Sequence, residues 1–181
     1  EGDRVPRVYI GNQSGEDTFS IGFQGEYVDT FPDGRLIVKG CTPTGDCGLF
    51  IIGARGGSEK KISGEGGDTA PAVSPDGSKI AFESYRDGQA EVYVMNADGT
   101  NVRAIVTTKM ATAPSWSPNG LQIAFQKHEQ GDFHSGTLDT EVYVVNADGS
   151  GARNLTNHSG MDGSPAWSPD GQWIAFSSNR N

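Results

Sequence analysis

A nine-residue pattern recurs through this chain, and its period restricts the fold more than any other feature. Ser74-Pro-Asp-Gly-Ser-Lys-Ile-Ala-Phe82 returns as Ser117-Pro-Asn-Gly-Leu-Gln-Ile-Ala-Phe125 and as Ser168-Pro-Asp-Gly-Gln-Trp-Ile-Ala-Phe176. Phe31-Pro-Asp-Gly-Arg-Leu-Ile-Val-Lys39 is a looser copy. A second pattern follows the first: Glu91-Val-Tyr-Val-Met-Asn-Ala-Asp-Gly99, then Glu141-Val-Tyr-Val-Val-Asn-Ala-Asp-Gly149, with Gly48-Leu-Phe-Ile-Ile-Gly-Ala-Arg-Gly56 a degenerate copy. Pro32, Pro75, Pro118 and Pro169 stand 43, 43 and 51 residues apart, the last gap being lengthened between Lys127 and Glu141.

Each unit reads as four short strands. Ala70–Ser74 ends in Pro-Asp-Gly, a tight turn in which Pro presets φ and Gly accepts a positive one. Lys79–Glu83 returns, Glu91–Met95 is the third strand, and Asn96-Ala-Asp-Gly99 turns the chain into Asn101–Val106. The Ile-Ala-Phe runs lack polar alternation, as suits strands covered on both faces. No segment shows convincing helical periodicity. The expectation is an all-β chain: a β-propeller of four-stranded antiparallel blades, about four in this chain. Phe82, Phe125 and Phe176 are expected between blades, with Trp116 and Trp167 at equivalent packing positions and Trp173 at an edge or in packing.

The units fall at about residues 26–63, 69–106 and 112–155, leaving 156–181 and 1–25 as two halves. The chain stops after a second-strand motif and opens at Arg7-Val-Tyr-Ile10, which has the third-strand pattern. The expectation is therefore one domain over 1–181 with one blade completed by both termini. A closed ring, part of a larger ring, and a ring shared between chains all remain open. Glu1 reads as the start of a processed or trimmed chain.

These motifs resemble the TolB-like repeat of bacterial propellers; residues 165–176 and 91–99 carry the resemblance most fully. It implies a noncatalytic extracytoplasmic module that recognises a protein or peptide. Similar propellers also include metal-dependent lyases acting on carbohydrate, the first alternative. The second is a structural subunit that self-associates through open terminal strands.

The net charge of −9 and pI near 4.7 argue against nucleic acid, which needs a basic surface. No apolar run approaches the ~20 residues of a membrane span, so no membrane insertion is expected. Cys41 and Cys47 flank a turn containing Pro43 and Gly45, and facing positions across a hairpin reach disulfide distance. A disulfide there implies an oxidising compartment, periplasmic or extracellular; two free thiols are the alternative.

The repeated turns share one face, so individual function is expected on the opposite face, whose loops differ between units. Those loops supply the ligand-binding candidates Asp68, Arg86, Asp87, Lys109, Met110, His128, Glu129, His134, His158 and Asp162. His128, His134 and His158 with neighbouring carboxylates could hold a transition metal, although the insert around His134 reads equally as a polar surface loop. No Gly-x-Ser-x-Gly elbow or phosphate loop is present, and no catalytic residue or cofactor is assigned.

Overall fold

The computed structural model describes residues 7–11, 14, 18–64, 67–107, 110–129 and 139–180. The first sheet joins β1 (Arg7–Gly11), β2 (Thr18–Thr30), β3 (Leu36–Cys41), β4 (Cys47–Ile52) and β5 (Lys60–Lys61). The second joins β6 (Thr69–Val73), β7 (Lys79–Ser84), β8 (Glu91–Asn96) and β9 (Arg103–Ala104). The third joins β10 (Ala111–Trp116), β11 (Gln122–His128), β12 (Thr140–Asn146) and β13 (Arg153–Asn154). The fourth holds β14 (Asp162–Trp167) and β15 (Ile174–Ser178). Neighbouring strands pair antiparallel throughout, as in propeller blades, and among the described residues no helix is long and apolar enough to cross a membrane.

Turn chemistry sets the register. Within Ser74–Lys79, the Gly77 N–H donates to the Ser74 carbonyl at 2.8 Å, and the Ser74 hydroxyl accepts from the Lys79 N–H at 2.9 Å. The Asp76 carboxylate accepts from Ser74 and Ser78, whose hydrogen bonds pull its pKa down to about 2. The same turn recurs at Ser117 and Ser168. With this turn fixed, Phe82 stands opposite Tyr93 and Phe125 opposite Tyr143.

Alternation along each strand then serves two cores. Ile80, Phe82, Tyr93 and Met95 face the first sheet's Ile37, Leu49 and Ile51, while Ala81, Val92 and Val94 face the third sheet's Ile123, Phe125 and Val145. The inner strands β2, β6, β10 and β14 follow one another around the axis. The expected packing holds for Phe82 and Phe125, which are fully buried.

Two expectations are corrected. β1 does not complete the fourth sheet; it pairs with the first half of β2, so no shared blade forms among the described residues. The reason is packing: Val8 and Ile10 cover Leu36, Val38, Phe50 and Ile52, the apolar face of the first sheet turned away from the second. Phe176, expected to be buried, is 40% exposed, because among the described residues no third strand lies along β15. Trp173 is exposed at the same edge.

Phe82→Ala and Phe125→Ala should each cost about 3–5 kcal/mol in urea titration, through lost burial and a cavity. Phe176→Ala should cost about 1 kcal/mol or less, since much of its ring already meets water.

Candidate functional site

Aligned by their turns, Cys41, Ser84, Lys127 and Ser178 occupy one equivalent place, the varied-face end of each second strand. Each sheet ties down that end, and the sheets use three chemistries.

In the first sheet Cys41 stands directly opposite Cys47 with a Cα separation of 4.0 Å, and the two form a disulfide. In the second, Asp68 is buried and accepts from the Ser84 hydroxyl at 2.6 Å and from Arg86 Nη2 at 3.0 and 3.1 Å. Arg86 Nε donates to Ser84 Oγ at 2.9 Å, and its guanidinium lies 4.7 Å over the Tyr93 ring. The Tyr93 hydroxyl in turn donates to Asp87. The fourth sheet repeats this triad with Asp162, Ser178 and Arg180, which lies over Phe176. Burial raises the Asp162 pKa, but hydrogen bonds from Ser178 and Arg180 outweigh it and hold the group below its ordinary value.

The third sheet departs from the pattern. Ala111 stands where Asp68 and Asp162 stand, Lys127 replaces the serine, and Glu129 replaces the arginine. Lys127 Nζ donates to both Glu129 oxygens at 2.8 and 2.9 Å and lies 5.0 Å from the Tyr143 ring centre, while the Tyr143 hydroxyl donates to Glu129. Burial pushes Glu129 upward, and these two donors more than reverse it, leaving its pKa lowered.

The histidines are not brought together. His128 Nε2 lies 3.4 Å from Gln126 Nε2, and its buried Nδ1 finds no partner among the described residues. The exposed His158 donates its backbone N–H to Glu141 at 2.8 Å, and its ring Nδ1 lies 2.8 Å from the Ser159 carbonyl. Among the described residues no group of three His, Cys, Asp or Glu side chains is placed to hold a metal. His134 and Lys109 lie outside the described residues. Met110 is half-buried with φ +59°, and its carbonyl accepts from the His128 N–H at 3.0 Å.

Sequence reasoning missed the apolar content of the varied face. Tyr27 is 45% exposed, Tyr85 50% and Met161 45%. The signal was a departure from the repeat: Tyr27 stands where Ala70, Ala113 and Ser164 stand, and Tyr85 where His128 and Asn179 stand. Nearby, Lys39, Cys41, Asp46, Gly64 and Asp68 line a cleft of about 380 Å³.

Radial sheets, inner strands around an axis and short turns on one face define a β-propeller. The chain belongs to the TolB beta propeller domain family, whose profile matches residues 5–142 and 110–181. No curated protein matches it. A solved structure assigned to TolB of Agrobacterium tumefaciens is similar, with TM-score 0.77 at 22% identity over 96% of this chain and 62% of that one. TolB from Acinetobacter baumannii aligns with TM-score 0.64 at 26% identity, over 88% of this chain and 37% of that one. An oligogalacturonate lyase from Vibrio parahaemolyticus aligns with TM-score 0.66 at 17% identity, over 93% and 50% of the two chains. The chain thus spans less than two thirds of the length of each of these proteins.

Replacing both Cys41 and Cys47 by Ser should lower stability by about 2 kcal/mol in denaturant titration, the loop-closure effect of so short a bridge. Burial, reinforced by the adjoining carboxylates, raises the Tyr93 and Tyr143 pKa values from 10.0 to about 12. A raised pKa means the folded state holds these protons more tightly, so their contribution is complete below pH 10.0 and lost as pH rises through about 12. Circular dichroism and tyrosinate absorbance against pH should show unfolding coinciding with the late tyrosines, and Tyr143→Phe should flatten that alkaline loss.

Proposed function

We propose that this chain is one propeller domain acting as a noncatalytic, extracytoplasmic module that binds a protein or peptide through its varied-loop face. The observation that carries the reading is the exposure of Tyr27, Tyr85 and Met161 there, among charged groups already paired with one another. Tyrosine and methionine are enriched at protein interfaces, where they supply adaptable apolar contact. The extracytoplasmic assignment is supported by the disulfide, since such bonds persist in oxidising compartments.

The noncatalytic assignment is supported by the carboxylates: Asp68, Glu129 and Asp162 each serve a pair within their own sheet. The metal-dependent lyase reading has less support, because His128 and His158 belong to separate hydrogen-bond sets. Self-association through the terminal strands is supported by the exposure of Trp173 and Phe176.

Peptides selected by phage display against the immobilised chain should bind the varied face. Combining Tyr27→Ala, Tyr85→Ala and Met161→Ala should weaken them by about tenfold or more. Leu121→Ala, on the exposed opposite turn face, should leave affinity unchanged. Equal loss from both variants in surface plasmon resonance would remove the varied face from the proposal.

A further inference from the structure

The turns between first and second strands differ at one chemically reactive place. Asp33, Asp76 and Asp170 each stand between the proline and the glycine, and Asn119 stands there in the third sheet. The backbone is the same with either residue. Gly77, Gly120 and Gly171 have φ of +70°, +70° and +69°. Their N–H groups donate to the Ser74, Ser117 and Ser168 carbonyls at 2.8, 2.9 and 2.9 Å.

The side-chain contacts match as well. Asp170 accepts from the Ser168 hydroxyl at 2.5 Å and from the Gln172 N–H at 3.0 Å. Asn119 Oδ1 accepts from the Ser117 hydroxyl at 2.7 Å and from the Leu121 N–H at 3.0 Å. Among the described residues Asn119 Nδ2 donates to no group, so the turn uses only the oxygen that an aspartate would also supply. Both donors would hold an ionised acceptor more strongly than an amide. The Ser168 and Gln172 donors keep the Asp170 pKa below its ordinary value. The Ser117 hydroxyl lies 2.7 Å from Asn119 Oδ1 and 3.0 Å from the Gln122 carbonyl; a carboxylate would commit it to the side chain, as Asp76 commits Ser74.

Glycine after asparagine leaves the backbone nitrogen unobstructed by a Cβ. We infer that Asn119 is a self-modification site: its amide is converted by the Gly120 nitrogen, and the turn accepts the aspartate so formed and rejects the isoaspartate. The Gly120 nitrogen bonds to Asn119 Cγ, the Cγ–Nδ2 bond breaks, and the backbone amide proton departs with Nδ2 as ammonia, leaving a cyclic imide. Water reaches the exposed Asn119 and adds to either imide carbonyl. Breaking the bond from nitrogen to Cγ gives aspartate. Breaking the bond to the original main-chain carbonyl carbon gives isoaspartate, whose backbone runs through Cγ. A water is consumed, ammonia is released, and the chain gains a negative charge; nothing is oxidised or reduced.

The closed turn hinders the attack. The Gly120 N–H is engaged by the Ser117 carbonyl, and Asn119 Oδ1 is held by two donors. Conversion therefore proceeds through local opening, and reclosure sorts the products. Aspartate restores the contacts made at Asp170. Isoaspartate inserts a methylene into the main chain, which displaces the Gly120 N–H from Ser117. It also moves the glycine off Pro75, whose Cδ lies 3.8 Å from where a Cβ at Gly120 would stand. This turn lies opposite the varied face, and the inference stands without the ligand reading given there.

Peptide mapping of the full chain, aged in mildly alkaline buffer with and without urea, tests the site. Trypsin releases residues 110–127, in which Asn119 is the sole asparagine. Its aspartyl and isoaspartyl forms are separated by chromatography and distinguished by fragmentation. Conversion should be about tenfold faster or more in urea, because the native turn has first to open. It should also outpace conversion at Asn96 and Asn146, each of which precedes an alanine. After refolding, the folded fraction should be enriched in aspartate over isoaspartate relative to the urea sample. Asn119→Asp should fold with an unchanged or raised urea midpoint. Any of four results would overturn the inference: equal rates with and without urea, conversion no faster than at Asn96 and Asn146, the same product ratio before and after refolding, or a lowered midpoint for Asn119→Asp.

Discussion

The first three sheets are apolar on both faces, so each is stable only when flanked on both sides. Ile80 and Phe82 require the first sheet, and Ala81, one residue between them, requires the third. From that demand follow the radial stacking, the near-constant repeat length and the burial of the inner sheets. It also explains the place of β1, whose Val8 and Ile10 lie against the outer apolar face of the first sheet. At the opposite end of the stack no strand among the described residues lies beside β15, and Trp173 and Phe176 are exposed there.

Within the sheets the recurring problem is a loose end. A second strand that leaves the core toward the varied face has spare backbone and a polar environment, and something must hold it. A disulfide, two Asp–Ser–Arg triads and a Lys–Glu pair serve at equivalent places. The same place in the repeat thus tolerates different chemistries provided the strand end is tied. Charged residues on this face are consequently poor guides to ligand binding when taken singly, because Asp68, Arg86, Glu129, Asp162 and Arg180 are already engaged.

Much of this was legible in the sequence, for physical reasons. Ser-Pro-Asp-Gly fixes a turn through contacts within six residues, so the strands, their order and the burial of Phe82 and Phe125 could be read locally. The hairpin position of Cys41 and Cys47 likewise foretold their bond. The burial of Phe176 could not be read, because it depends on a neighbouring strand rather than on its own motif. The partner of β1 was ambiguous, since Val-Tyr-Ile suits either a third strand or a cover for an apolar face. Asp68 and Arg86 are 18 residues apart in a pair that only the comparison of sheets, with Asp162 and Arg180 repeating it, makes visible. Tyr27, Tyr85 and Met161 were hidden for the opposite reason: they break the repeat.

The inner strands carry one further regularity. Ala70, Ala113 and Ser164 have φ of +45°, +51° and +52°, each immediately precedes a proline, and each lies within a shift of register. A left-handed residue bends the strand, and the following proline removes a backbone donor. An edge so interrupted offers no continuous ladder to a stray peptide. The innermost strand of each of these sheets is thereby a poor template for amyloid-like growth, a protection supplied by Pro71, Pro114 and Pro165, which are themselves buried.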